Sequence, residues 1–127
     1  MKLFTMILAI LFTLSFANAA GFEKSAKFRT TTVEMSSQKP LTVGVNGVTF
    51  TISQKGIALV DAEVKIKVFM PAMPGMPKME AVFSAVSLGH GKYSSDLNFS
   101  MGGTWQMHIF VLTKDGKKYR IKSSVNI

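Results

Sequence analysis

The chain has no cysteine. It can form neither a disulfide nor a thiolate metal site, so its fold must be held by its core alone. Histidine is nearly as scarce, with only His90 and His108. Acidic residues are few, seven Asp and Glu against fifteen Lys and Arg. No Gly-x-Ser-x-Gly, no His-Glu-x-x-His and no phosphate-cradling glycine loop occurs. The serines have no neighbouring residues that suggest activation by a base. These absences argue against an enzyme, and no catalytic residue is expected. Beyond the first twenty residues, no apolar run is long enough to cross a membrane.

The N-terminus reads as a secretory signal peptide. Lys2 gives a basic start, and Leu3 to Phe16 is apolar apart from Thr5, Thr13 and Ser15. Ala17-Asn18-Ala19 then supplies the small-x-small pattern of a cleavage site after Ala19. The expected organisation is a signal peptide over 1–19 and a single domain over 20–127. The mature protein would be periplasmic or secreted, with no stable membrane insertion after cleavage. Loss of Lys2 takes the formal charge from +8 to +7. Such a balance favours anionic surfaces or acidic partners. Lys114, Lys117, Lys118, Arg120 and Lys122 cluster near the end and read as the solvent face of a terminal hairpin rather than a grip on nucleic acid.

Short apolar runs with period-two alternation fill the rest, separated by turn residues. Phe28 to Met35 reads as a first strand. Leu41 to Val45 and Val48 to Ser53 flank Asn46-Gly47, a tight-hairpin dipeptide. Glu63 to Phe69 puts Val64, Ile66 and Val68 on one face and Lys65 and Lys67 on the other. Glu80 to Leu88, Tyr93 to Phe99, Thr104 to Leu112 and Lys118 to Val125 follow, the last two flanking a second hairpin signal at Asp115-Gly116. About seven strands with turns every eight to twelve residues predict an all-β, antiparallel, immunoglobulin-like β-sandwich.

Between Met70 and Met79 the sequence reads Met-Pro-Ala-Met-Pro-Gly-Met-Pro-Lys-Met. Four methionines fall at a spacing of three. A polyproline II segment has three residues per turn and would align them on one side. Thioethers are soft ligands that select Cu(I), and they bind without losing a proton. A straight segment, however, holds residues three apart at about 9 Å. Two sulfurs on one ion sit only a few Å apart, so the run must bend, most cheaply at Gly75, or find a ligand elsewhere. Met101 and His90 are the nearest candidates by turn position. The candidate metal ligands are Met73, Met76, Met79 and Met101, with Met70 and His90 as further members. Two other readings stay open. The methionines can fill core gaps, Met70 and Met107 above all, or form an adaptable apolar surface for a protein partner. Trp105 reads as a core aromatic, and His108 as a structural or surface residue.

The Met-Pro run, Gly91-Lys-Tyr93 and Phe99-Ser-Met-Gly-Gly-Thr-Trp105 together resemble the YtkA-like (FixH-related) family of exported domains. Within it, the chain is most similar to periplasmic copper-resistance determinants of the CrdA type. The likeness spans roughly Pro40 to Val125. It implies an immunoglobulin-like sandwich in the cell envelope, a link to copper and no catalysis. Neither histidine belongs to the shared motif. The expected function is Cu(I) binding in copper resistance, buffering or transfer, with a copper efflux or cytochrome oxidase assembly component as partner and no nucleic acid. The alternative is an envelope interaction module that docks through the Met-Pro loop.

Overall fold

The computed structural model describes residues 21–127. The signal peptide expected over 1–19 lies outside the described residues. The strands, in chain order, are β1 (Phe22–Phe28), β2 (Thr31–Ser37), β3 (Gly44–Gln54), β4 (Ile57–Ala58), β5 (Glu63–Met70), β6 (Met79–Ser84), β7 (Val86–Gly89), β8 (Lys92–Phe99), β9 (Thr104–Leu112) and β10 (Lys118–Asn126). Among the described residues there is no helix. One sheet has the order β1-β2-β3-β8-β7, with β4 also on β3; the other has the order β10-β9-β5-β6. All pairs are antiparallel.

The alternation seen in the sequence builds the core between the sheets. Val33 and Met35, Val48, Phe50 and Ile52, and Tyr93, Leu97 and Phe99 point inward from one sheet. Val64, Ile66 and Val68, Trp105, Met107, Ile109 and Val111, and Ile121 and Val125 meet them from the other. Each fully buried Val, Leu, Ile or Phe contributes about 1.5–3 kcal/mol. Two interdigitating faces of this kind account for a sandwich without covalent staples.

The all-β sandwich is as expected, but it has ten strands among the described residues rather than about seven. The expected first strand over 28–35 is two strands. Arg29, in the left-handed region at φ 54°, turns β1 onto β2. The charge of Phe22–Phe28 hides an edge strand with only Phe22 and Ala26 half-buried against the core.

Asn46-Gly47 is not a turn. It lies inside β3, where Asn46 pairs with Leu97 and Gly47 with Asp96. The buried Asn46 amide accepts from the Thr42 N–H and donates to the carbonyls of Thr42 and Gly44, so it anchors the loop before the strand. The period-two run Asn46, Val48, Phe50, Ile52 overrides the local turn preference.

The segment Glu80 to Leu88 is also two strands. At Ala85, whose N–H donates to the Val64 carbonyl at 2.9 Å, the chain leaves one sheet for the other.

Candidate metal-binding hairpin

Four neighbouring segments meet at one end of the sandwich: the β5–β6 hairpin, the β8–β9 connection, the start of β9 and the C-terminus. β5 and β6 pair from Lys65–Ser84 down to Met70–Met79. In step with that register, Met73 and Met76 form a further bridge. They exchange both backbone bonds, at 2.9 Å and 2.8 Å. The hydrogen-bonded rung between the two methionine pairs, Pro71 opposite Lys78, is broken because Pro71 has no N–H to give. Pro74-Gly75 makes the turn, with Gly75 at φ 81°. Proline first and a positive-φ glycine second are what a type II turn requires. The run is therefore a hairpin bent at Gly75, not a straight polyproline segment.

The bend converts a period of three along the chain into two cross-strand pairs, Met70 with Met79 and Met73 with Met76. Directly opposed residues in a hydrogen-bonded antiparallel pair have Cα atoms about 5.5 Å apart. That is well inside the reach of two flexible thioether arms. Two sulfurs on one ion, at metal–sulfur bonds of about 2.3 Å, lie no more than about 4.6 Å apart. The bent run can meet that limit; a straight one cannot.

The four sulfurs have different surroundings. Met70 is 4 % exposed and belongs to the core. A Cβ at Gly103 would lie only 2.9 Å from the Met70 Cε, so its terminal methyl sits in the space that this glycine leaves open. Met79 is half-buried, and its Sδ accepts a hydrogen bond from the Ser100 hydroxyl at 3.5 Å. Met73, at the tip, is 49 % exposed, and Met76 is half-buried. Met101 is half-buried and follows Ser100 directly; its carbonyl accepts from the Trp105 indole at 3.0 Å. A shallow cavity of about 500 Å³ lies beside Met79, with Ser100, Phe83 and Trp105 among its walls. Trp105 itself is a core aromatic, edge-on to Phe99 at 5.6 Å.

The histidines do not join this group. His90 sits in the turn between β7 and β8, at φ 56°. β8 runs its full eight residues from Lys92 before reaching Phe99 at the methionine end. That strand is roughly 25 Å long, so His90 lies at the opposite end of the sandwich. Turn position in the sequence could not reveal this, because successive turns alternate between ends. His108 is on the outer face of β9, edge-on to Phe69 at 4.9 Å and to Phe110 at 6.1 Å.

The charges around the hairpin disfavour a hard cation. Glu80 bridges Lys78 at 3.0 Å and Lys67 at 3.2 Å. Hydrogen bonds from Lys78 and then Lys67 hold its carboxyl below the ordinary range. Among the described residues no three His, Asp or Glu side chains gather as a metal site. Oxygen-seeking cations such as Ca²⁺ and Mg²⁺ need several such donors. What the hairpin offers is sulfur alone.

Ser100 and Gly103 were not foreseen as partners of the methionines. Their signal is the strand break Ser-Met-Gly-Gly before Trp105, which marks a close approach of backbone but not its neighbour.

His108 carries a pH prediction. Burial lowers its pKa from 6.5, and the charges of Arg120, Lys122 and Lys67 lower it further. The folded protein then binds fewer protons than the unfolded chain as pH falls below 6.5. Stability is lost from that pH down through the folded value. An NMR titration should give His108 a pKa below 6.5, and Arg120→Gln should raise it. In urea unfolding between pH 8 and pH 4.5, His108→Gln should flatten the decline. A His108 pKa at or above the ordinary value removes this account.

The fold and site describe a small antiparallel β-sandwich with a methionine–proline hairpin at one end. The YtkA-like family model matches residues 25–110, more than half of the chain. The chain belongs to the YtkA-like family. No curated protein and no solved structure matches it.

Proposed function

We propose that the hairpin binds Cu(I) through methionine thioethers and that the protein buffers or carries copper in the cell envelope. The observation that supports this most directly is the Met73–Met76 bridge, which sets two soft ligands opposite each other at an accessible tip. Met79, fixed by Ser100 beside the same hairpin, and Met101 on the adjoining connection are the further ligands. A thioether sulfur has a second lone pair, so the Ser100 contact does not bar Met79 from a metal. Met70 is the structural member, since its sulfur is in the core. Pro71, Pro74 and Pro77 stiffen the loop and reduce the freedom lost on binding. On this reading the protein resembles copper-resistance determinants of the CrdA type. It acts without catalysis after its signal peptide is removed, and exchanges copper with an efflux or cytochrome oxidase assembly component.

The test is a Cu(I) competition titration against a chromophoric chelator. Changing Met73, Met76 and Met79 together to leucine keeps apolar bulk and removes sulfur. That variant should lose binding, and the parent should bind equally well at pH 7 and pH 5, because thioethers do not titrate. Unchanged affinity in the variant would falsify the proposal.

The exposure of Met73 at the tip supports one other reading, a protein-docking surface. The same leucine variant separates the two, because it preserves an apolar surface while destroying a thioether site.

A further inference from the structure

On the outer side of the molecule, away from the methionine hairpin, a cleft of about 650 Å³ opens between β1 and β10. β1 lies alongside β10, and the Lys24 ammonium donates to the Ser124 carbonyl. Lys27 and Phe28 form one wall; Lys118, Arg120 and Lys122, with Phe110 behind them, form the other. No acidic residue lines it. Among the described residues, Lys65, Lys67, Lys78 and Lys117 form ion pairs. The four cations of the cleft form none, so their charge is not spent within the fold.

We propose that this cleft binds an extended acidic segment of a partner protein. The charge is complementary, and the spacing selects an extended chain. Lys118, Arg120 and Lys122 share one face of β10, opposite Leu112, Phe110 and His108 in turn. Alternate residues of a strand lie about 6.8 Å apart, so these cations match carboxylates at every second position of an extended peptide. β10 ends its sheet, and the cleft lies beside it, between its cations and the Lys27–Phe28 end of β1. Phe110 and Phe28 are 37 % and 39 % exposed and give an apolar floor for the intervening side chains. Arg29 stacks over Phe28 at 5.2 Å and adds a cation nearby. A bilayer surface cannot enter a concave groove, which disfavours a membrane as the occupant. This surface is independent of the copper reading.

The probe is a fluorescein-labelled decapeptide alternating glutamate with phenylalanine or leucine, read by fluorescence anisotropy at low and high salt. It should bind the parent, and more weakly as salt rises. The triple change Lys118→Ser, Arg120→Ser and Lys122→Ser, all at exposed positions, should weaken binding at least about tenfold. A control change of Lys39, Lys55 and Lys92 to serine should leave it intact. Three results overturn the proposal. The control can lose as much affinity as the cleft variant. A peptide of the same composition with its glutamates in one block can bind equally well. Phosphatidylglycerol vesicles or inorganic phosphate can bind through the same residues while the peptide does not.

Discussion

Replacing either Met73 or Met76 by leucine is expected to lower Cu(I) affinity at least about tenfold, because in the proposed site the two sulfurs act as one chelate. Substitutions of groups that merely support metal ligands cost about 10–100-fold, so loss of a ligand should reach that range. The two residues are held opposite each other by a reciprocal pair of backbone bonds, at 2.9 Å and 2.8 Å. Once one thioether is gone, the chelate across the bridge is lost and, in the proposed site, Met79 and Met101 carry the ion, so removing the second adds little. The double variant should therefore fall well short of the product of the two single effects. Met70→Leu should leave affinity nearly unchanged, since Met70 is core and Met-to-Leu swaps of similar volume cost less than about 1.5 kcal/mol. The measurement is the same chelator competition, run on the three single variants and the Met73/Met76 double variant. Strictly additive losses would mean two independent sulfurs. A dominant loss at Met70 would move the site to the base of the hairpin. Either outcome would remove the Met73–Met76 bridge as the basis of the site.

That pair could be read only partly from the sequence. The residue types, the spacing and the need for a bend at Gly75 were all legible, because each follows from local chemistry. Which methionine faces which was not, because it depends on the register that β5 and β6 adopt. The strict period of three suggested a polyproline stripe, but Pro74-Gly75 is also a strong type II turn pair, and the turn prevailed. The same competition ran the other way at Asn46-Gly47. There the turn dipeptide yielded to the inward run that ends at Ile52 and was built into a strand. Local turn preference is worth little against three buried apolar side chains, each contributing about 1.5–3 kcal/mol. Around Gly75, Met73 and Pro74 are exposed and Met76 is only half-buried, so little opposed it.

Long-range placement accounts for the other differences. The strands that alternate cleanly, β5 and β9, were found nearly to their ends because their burial is one-sided. β1 was missed because three charged residues interrupt its apolar pattern and its apolar contact is slight. With β1 missing, Lys27 and Phe28 could not be recognised as the second wall of the cationic cleft. The terminal cluster of Lys118, Arg120 and Lys122 then read as an ordinary solvated face. His90 lies apart from the methionine group for a topological reason: its turn joins strands at the end of the sandwich away from the methionines.

Gly103→Ala is expected to destabilise the protein by about 2–4 kcal/mol, for two separable reasons. The first is backbone strain: Gly103 has φ 134°, and holding a residue with a side chain in so sparsely populated a conformation costs about 1–3 kcal/mol. The second is overpacking: the new Cβ would lie 2.9 Å from the Met70 Cε, the far end of a flexible side chain, so its displacement falls at the low end of the overpacking range, about 1 kcal/mol. The strained segment also holds the chain end, because Gly103 and Ile127 exchange backbone bonds at 3.0 Å and 2.8 Å. In a domain of about this size 1 kcal/mol moves Tm by about 4–8 °C, so the drop should be roughly 8–30 °C. A double-mutant cycle with Met70→Ala divides the cost. Shortening Met70 removes the collision but leaves the strain, so Gly103→Ala should cost about 1 kcal/mol less in the Met70→Ala background than in the parent. Equal cost in both backgrounds would show that Met70 does not press on Gly103. No loss in either would mean that the backbone at Gly103 is not held in this conformation. The cycle thus tests, without any metal, whether the Met70 side chain is held in the core against Gly103 and so kept apart from the Met73–Met76 pair at the tip.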